Sequence, residues 1–264
     1  MLRALYTAAT GAQSQQFNID VIANNVSNVN TNGYKKVRAE FQDLLSQTFR
    51  AAGVLGQQGT TTPTGIQVGL GVGISATQRV FTPGAFTQTG NSLDLAIQGE
   101  GFFQVQLNSG EVGYSRDGTF KRDANGTLVT SDGYPLIPSV IIPPNTTEVS
   151  IGINGAVSIR QAGSQTLSQV AQLQLARFSN SAGLESIGRN IFVETPASGT
   201  PIVGQPGQGD FARTTTNQGF IETSNVQIVE ELIGLITAQR AFEANTNVIK
   251  SSDQVLQSVT NIIR

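Results

Sequence analysis

The residues of this 264-residue sequence that could do chemistry are few, and the clearest are five carboxylates: Asp94, Glu100, Asp117, Asp123 and Asp132. Paired carboxylates across a cleft hydrolyse glycosides, and clustered hard oxygens hold Ca²⁺. Here Asp117-Gly118 and Asp132-Gly133 are ordinary turn dipeptides, and no Asp-x-[Asp/Asn]-x-[Asp/Asn]-Gly loop is present. Aromatic residues, which line saccharide clefts, make up only 6% of the chain, so a secreted carbohydrate-active β-protein is the rival reading and not the leading one. Most other mechanisms lack their actors. The chain has no His and no Cys, which removes a Ser-His-Asp triad, a thiol nucleophile, a His general base and any zinc site built on those ligands. Gly99-Glu100-Gly101 and Gly69-Leu70-Gly71-Val72-Gly73 lack the following helix and Lys that a phosphate loop needs. The expectation is a non-enzyme with no catalytic residue, no metal and no cofactor.

Charge and hydropathy narrow the partners. A formal net charge of -2 offers no basic patch to nucleic acid and no polybasic membrane anchor. No uncharged apolar run reaches membrane-spanning length, so direct membrane insertion is not expected. The stretch Met1-Leu2-Arg3-Ala4-Leu5-Tyr6 also lacks the apolar segment of a cleaved signal peptide.

The elements that dominate the sequence lie at its two ends. Leu2, Leu5, Ala9, Ala12, Gln16, Ile19, Ala23 and Val26 step alternately by three and four, which is a heptad seam on a helix. Near the C-terminus, Ile228, Leu235, Phe242, Ile249, Leu256 and Ile263 recur every seventh residue. Their three-residue-earlier companions begin at Leu232 and then turn polar at Gln239, Thr246, Asp253 and Thr260. A second stripe, Val248, Val255 and Ile262, widens the apolar face near the end. Ser224 and Gln227 have capping-box spacing, predicting a helix from about Asn225 to Arg264. Two such helices need each other, because an isolated helix is marginal in water. Leu5, Ala12, Ile19 and Val26 are expected to pack on the C-terminal stripe, leaving apolar surface for further copies of the chain.

The period changes between the helices. Ile66, Val68, Leu70, Val72 and Ile74 alternate with small or polar residues, as a half-buried strand does. Leu93 to Ile97, Phe103 to Leu107, Leu173 to Phe178 and Ile191 to Val193 read as further strands, and Pro201 to Gly209 as a loop. Asn125-Gly126 and Asn154-Gly155 predict hairpins with type I′ turns. Ala51 to Gly65, rich in Gly, Gln and Thr, reads as an extended arm. The fold class is α+β: N- and C-terminal helices paired as a coiled-coil-like core domain, with a central all-β domain and an extended arm. The expected domains are a helical inner core of 1–30 plus 225–264, a connector with the arm of 31–65 plus 212–224, and an outer β-domain of 66–211.

The most distinctive string is Ala23-Asn24-Asn25-Val26-Ser27-Asn28-Val29-Asn30-Thr31-Asn32-Gly33-Tyr34-Lys35-Lys36. Asn caps helices and tolerates left-handed backbone, so the string can end a helix and set a fixed exit. It resembles the signature of the bacterial flagellar rod and hook proteins, Ala-Asn-Asn-[LIV]-[AS]-Asn-x-[NST]-Thr-x-Gly-[FY], matching through Asn24, Asn25, Ser27, Asn28, Asn30, Thr31, Gly33 and Tyr34. The stretch from Asn225 through Asn245 is similar to that family's closing helix. Leu93 to Phe103 and Tyr114-Ser115-Arg116-Asp117-Gly118 resemble rod and hook members generally, and Ala51 to Val72 one rod member in particular.

The resemblance implies a structural subunit of the basal body. Such subunits stack helically into a rigid hollow shaft that carries torque and lines an export channel, with their β-domains outward. The implied partners are further copies of itself, proximal rod and hook subunits, the P-ring and L-ring proteins, the type III export apparatus and the rod cap. The implied location spans the periplasm to the outer membrane, reached without a cleaved signal peptide. A proximal rod or hook subunit is the alternative within the family.

Overall fold

A computed structural model describes residues 2–53, 63–163 and 166–262 of the chain. Two compact units are present. Unit 1 comprises Met1–Ser27, Val37–Gln78 and Gln227–Arg264, and unit 2 comprises Asn28–Lys36 and Arg79–Val226. The α+β class holds, with both long helices in unit 1 and most of the strands in unit 2. The boundaries differ from those read in the sequence. No separate connector forms: residues 37–78 join the helices, whereas 28–36 and 212–226 join the β-unit. Strand pairing and the close approach of Gly71 to the first helix are the reasons, and neither has a signature in composition.

Unit 1 is built on α1 (Leu2–Ser27) and α2 (Ile228–Ile262). They run antiparallel. Asn25 meets Glu231, Ile22 lies against Gly234, and Gly11 lies against Asn245, so equal steps back along α1 match equal steps forward along α2. The seven-residue stripe Leu235, Phe242, Ile249 and Leu256 turns inward and is half-buried, as are Leu5, Ile19 and Val26; Ala12 is buried. The companions lie on the other flank from the one expected. In α1 they are Ala8, Gln15 and Ile22, while Ala9, Gln16 and Ala23 are exposed. In α2 they are Glu231, Ala238, Asn245 and Ser252, four residues before each stripe member and not three. Ile228 is exposed, and Ile263 lies outside the described residues. The Ser224 hydroxyl does not cap the helix: it accepts the Val226 N–H two residues on, and the Glu231 N–H bonds the Gln227 carbonyl.

The remaining strands of unit 1 are β1 (Val37–Asp43), β2 (Ser46–Arg50), β3 (Ile66–Gly69) and β4 (Val72–Arg79). β1 pairs with β4, and β2 with β3, from Ser46 opposite Gly69 to Arg50 opposite Ile66. The single strand expected over 66–74 is therefore two. Its break is at Gly71, whose φ of +117° favours glycine and whose added Cβ would sit 2.3 Å from Thr10 Oγ1. β2 and β3 are exposed along their whole length and flank the arm; residues 54–62 of Ala51–Gly65 lie outside the described residues.

Unit 2 continues with β5 (Phe86–Gln88), β6 (Leu95–Gln98), β7 (Phe102–Gln106), β8 (Val112–Ser115), β9 (Lys121–Arg122), β10 (Leu128–Val129) and β11 (Leu136–Ile137). After these come β12 (Thr146–Ile151), β13 (Ala156–Gln161), β14 (Ser168–Gln172), β15 (Leu175–Arg177), β16 (Glu185–Gly188), β17 (Ile191–Val193) and β18 (Ile202–Gly204). The last two are β19 (Thr215–Gln218) and β20 (Phe220–Glu222). β18 falls within the stretch read as a loop. The main sheet runs β16-β17-β8-β7-β15-β18, with β11 also on β7, and its recorded pairings are antiparallel.

Both faces of β7 are covered, where simple alternation predicted one. Phe103 and Val105 enter a core with Leu175, Leu128 and Phe120, while Phe102 enters an aromatic cluster with Phe178, Phe192 and Tyr114. The rings there meet edge to face at 4.7–6.1 Å, as their quadrupoles favour. The two hairpins form at Asn125-Gly126 and Asn154-Gly155, but neither turn is type I′. Only the glycines have positive φ; the Gly126 N–H bonds the Asp123 carbonyl and the Gly155 N–H that of Gly152, closing four-residue turns that end in glycine.

Close backbone packing gives the first expected outcome. A Cβ at Gly118 would lie 1.6 Å from the Leu95 carbonyl oxygen, whereas one at Gly110 meets open space. Gly118→Ala should destabilise unit 2 by about 3 kcal/mol or more, and Gly110→Ala by about 1 kcal/mol through its positive φ alone. Denaturant unfolding of the two variants measures the difference.

Candidate functional site

The Asn-rich string is resolved residue by residue. Asn25 is buried on α1, where its side-chain amide grips the start of β1: Oδ1 accepts the Val37 N–H at 2.9 Å and Nδ2 donates to the Val37 carbonyl at 2.8 Å. The same Nδ2 donates to Glu231 Oε2 on α2 at 3.1 Å. Three segments of unit 1 thus meet at one amide. Ser27 donates back to the Ala23 carbonyl, closing the last turn of α1. In unit 2, Asn28 Oδ1 accepts from the Thr31 hydroxyl, and the Thr31 N–H bonds the Asn28 carbonyl, which turns the chain. Gly33, at φ +68°, passes so close to Asp117 that an added Cβ would be 2.6 Å from its nitrogen. Tyr34 is buried beneath the Arg79 guanidinium. Asn24 and Asn30 are exposed.

The faces of the helix pair divide in an unusual way. The seam between α1 and α2 holds small and polar residues (Ala8, Gly11, Ala12, Asn25, Glu231, Ala238) beside its seven-residue stripe. The outer face of α2 carries Val229, Leu232, Ile233 and Ile236, spaced at three, four and seven as one helical stripe and exposed at 70%, 45%, 61% and 57%. Val248 and Val255 are exposed further along. Burial normally puts the larger apolar groups inside. Here large apolar groups lie on the outer face as well as in the seam.

Most of the carboxylates singled out in the sequence serve turns, with Asp94 and Asp132 near enough to Asp117 for their charges to act on it. Asp94 accepts from Thr89 Oγ1 at 2.6 Å and Asn91 Nδ2 at 2.9 Å. Asp117 accepts both the N–H and the hydroxyl of Thr119. Glu100 is exposed, 3.9 Å from Arg177, and Asp132 lies 4.0 Å from Arg189. The Asp123 carbonyl closes the turn at Gly126. Glu100 borders an open cleft of about 540 Å³ with Arg177, Asp210 and Arg213. Among the described residues, no group of three or more Asp or Glu could hold a metal ion.

A cluster that the sequence reading passed over lies in unit 2. Lys35 and Glu222 form a fully buried ion pair, and Arg116 Nη1 reaches Glu222 Oε2 at 3.3 Å. Glu222 Oε1 also accepts the Gly84 N–H, Lys35 donates to the Thr82 carbonyl, and Arg116 donates to the carbonyls of Ile97 and Gly99. Burial pushes the Lys35 ammonium below its ordinary pKa, against the pull of Glu222, and does the same to Arg116. Lys35 and Arg116 stand inside strings already noted for their resemblance, but a lone charge in a loop reads as solvated unless its partner is known.

Comparison with known proteins decides what this architecture belongs to. Residues 5–35 match the flagella basal body rod protein family, residues 96–159 the flagellar hook protein FlgE/F/G D1 domain, and residues 217–262 the flagellar basal body rod FlgEFG protein C-terminal family. The flagellar basal-body rod protein FlgG of Borreliella burgdorferi is 46% identical over the whole of both chains. That of Buchnera aphidicola subsp. Schizaphis graminum is 45% identical over 99% of this chain and all of its own length, and that of Bacillus subtilis 39% over the whole of both.

The chain belongs to the flagellar basal-body rod and hook family. FlgG is the distal rod protein, and the resemblance within the rod and hook family runs most strongly to it. The matched rod-protein segment, 5–35, spans α1 and the Asn-rich turn, and the C-terminal match spans β20 and α2. The matched segment contains the Asn25 amide, Gly33 and Lys35 described above.

Two outcomes follow for a rod-family chain of this geometry. Asn25→Ala removes the grip on Val37 and the bond to Glu231, so it should destabilise unit 1 by about 2–4 kcal/mol in denaturant unfolding. Asp117 is held above its ordinary pKa of 3.8, first by burial and then by the charges of Asp94 and Asp132, against its bonds from Thr119. Its contribution is full below 3.8 and is lost as pH rises through the raised value. Asp117→Asn keeps the acceptor for Thr119, so stability at neutral pH should be undiminished and the pH slope flatter, as urea titrations across that window measure.

Proposed function

We propose that this chain is the structural subunit of the distal rod, polymerising helically into a rigid hollow shaft that carries torque from motor to hook and lines the export channel. It is a flagellar basal-body rod protein by family. The observation that supports polymerisation is the outer face of α2: Val229, Leu232, Ile233 and Ile236 form an apolar stripe that stays exposed among the described residues. Covering a half-exposed side chain of this size contributes roughly 1 kcal/mol. One stripe is a modest gain, but in a polymer each copy both covers and is covered. Torque transmission needs many such distributed contacts and no reacting centre.

The partners proposed are further copies of the chain, proximal rod and hook subunits at the two ends, the surrounding P-ring and L-ring proteins, and the export apparatus with the rod cap. Delivery through the type III pathway without a cleaved signal peptide is part of the same proposal, as is a location spanning the periplasm to the outer membrane. No described helix is long and apolar enough to cross a membrane.

The test separates the outer stripe from the seam. Ile233→Asp together with Ile236→Asp changes exposed positions, so unfolding of the purified chain should shift by no more than about 1 kcal/mol. Polymer seen by electron microscopy, and swimming in soft agar, should both be lost. Normal polymers from this variant would refute the reading. Phe242→Asp, within the seam, should instead weaken the helix pair of the lone chain.

A further inference from the structure

Residues 220–225 act as a strap between two other parts of unit 2. Along one side β20 pairs with β5, Phe220 opposite Gln88 and Glu222 opposite Phe86, and the Asn225 amide donates to the carbonyls of Val80 and Thr82. Along the other side the strap holds the Asn-rich turn: the Gly33 N–H bonds the Glu222 carbonyl at 2.8 Å, and the Lys36 N–H bonds Asn225 Oδ1 at 2.7 Å. The fit is close, since a Cβ at Gly84 would lie 2.0 Å from the Thr223 carbonyl oxygen.

The charges beneath the strap are arranged unequally along the chain. Both cations come early, Lys35 from the turn and Arg116 from the end of β8, and both are buried. Apart from Glu222, their hydrogen-bond acceptors are neutral carbonyls: Thr82 for Lys35, and Ile97 and Gly99 for Arg116. The carboxylate that neutralises them comes from the strap, near the end of unit 2. Without it two like charges would be buried near each other, which destabilises each through desolvation and repulsion. A hydrophobic pair of the same shape would have no such dependence on order.

We propose that Glu222 is a lock that makes docking of the strap a condition for seating the Asn-rich turn in unit 2. The segment that follows α1 and the segment that precedes α2 are then seated within unit 2 in one event. A chain has both segments seated, or neither. The positioning residue is Glu222, and Lys35 and Arg116 are what it answers. This device concerns the lone chain, so it stands or falls separately from the rod reading, which polymer formation tests.

The experiment compares full-length protein with E222Q, K35M and the double variant K35M/E222Q by amide hydrogen exchange. E222Q should speed exchange over residues 33–36 and 84–86 by at least about tenfold, a local opening, while β7 and β8 keep their protection. K35M in the E222Q background should recover most of that loss, because the stranded cation is gone; loss of a packing contact would not be reversed by changing a second side chain. Pulse-labelled refolding of the unaltered chain should show Gly33 and Thr223 gaining protection in the same kinetic phase. Unchanged exchange in E222Q, equal loss in the double variant, or separate phases for Gly33 and Thr223 would each overturn the lock. If E222Q alone does not fold, folding of K35M/E222Q supports it and failure of both overturns it.

Discussion

The side-chain amide of Asn25 meets three segments at once, its own helix, the first residue of β1 and the first turn of α2, and the order of unit 1 depends on that meeting. Hydrophobic matching alone would not fix how α1 lies along α2. Much of their seam is alanine, glycine or polar, and small side chains slide past one another with little change in energy. A buried amide and a buried carboxylate do not, because shifting either by one turn breaks the bond between them inside the seam. Gly11 against Asn245 and Gly234 against Ile22 repeat the constraint sterically. The register is thus set largely by polar and small residues, and a second group of apolar residues, Val229 to Ile236, is left facing outward.

Unit 2 reaches rigidity by another route. Its central strand β7 is packed on both faces, mainly aliphatic on one and mainly aromatic on the other, so no strand of the middle of the sheet can shift without disturbing two cores. Tight glycine contacts at positions 84 and 118 bring backbone against backbone where side chains would hold segments apart. A subunit that must pass force through its contacts gains from this, since close-packed interiors are stiff.

The sequence shows the helices plainly, and their seven-residue stripe turns inward from Leu235 to Leu256 but not at Ile228. It misplaces the flank beside the stripe on both helices, because apolar periodicity cannot see that Glu231, Asn245 and Ser252 are the inward companions. The outer stripe from Val229 to Ile236 was readable by the same spacing rule, but a search for seven-residue recurrence looks past it. Hairpin positions were legible from Asn-Gly; turn type was not, because it depends on the backbone of the asparagine and not on its identity. The Lys35, Arg116 and Glu222 cluster joins residues far apart in the chain, so no local pattern announces it. The Asn-rich string announces itself by composition, yet Asn25's role emerges only once Val37 and Glu231 are brought to it.

α2 has 35 residues and α1 has 26. Matched from Asn25 and Glu231 in equal steps, α1 ends while α2 still has about two turns to run. One end of the helix pair is therefore a closed joint, held by a buried amide and carboxylate, and toward the other end α2 runs on past the last described residue of α1. Two such unlike ends give any stack of these pairs a direction: it has a head and a tail that cannot be exchanged, and a newcomer arriving at one end meets a surface quite different from the one it would meet at the other.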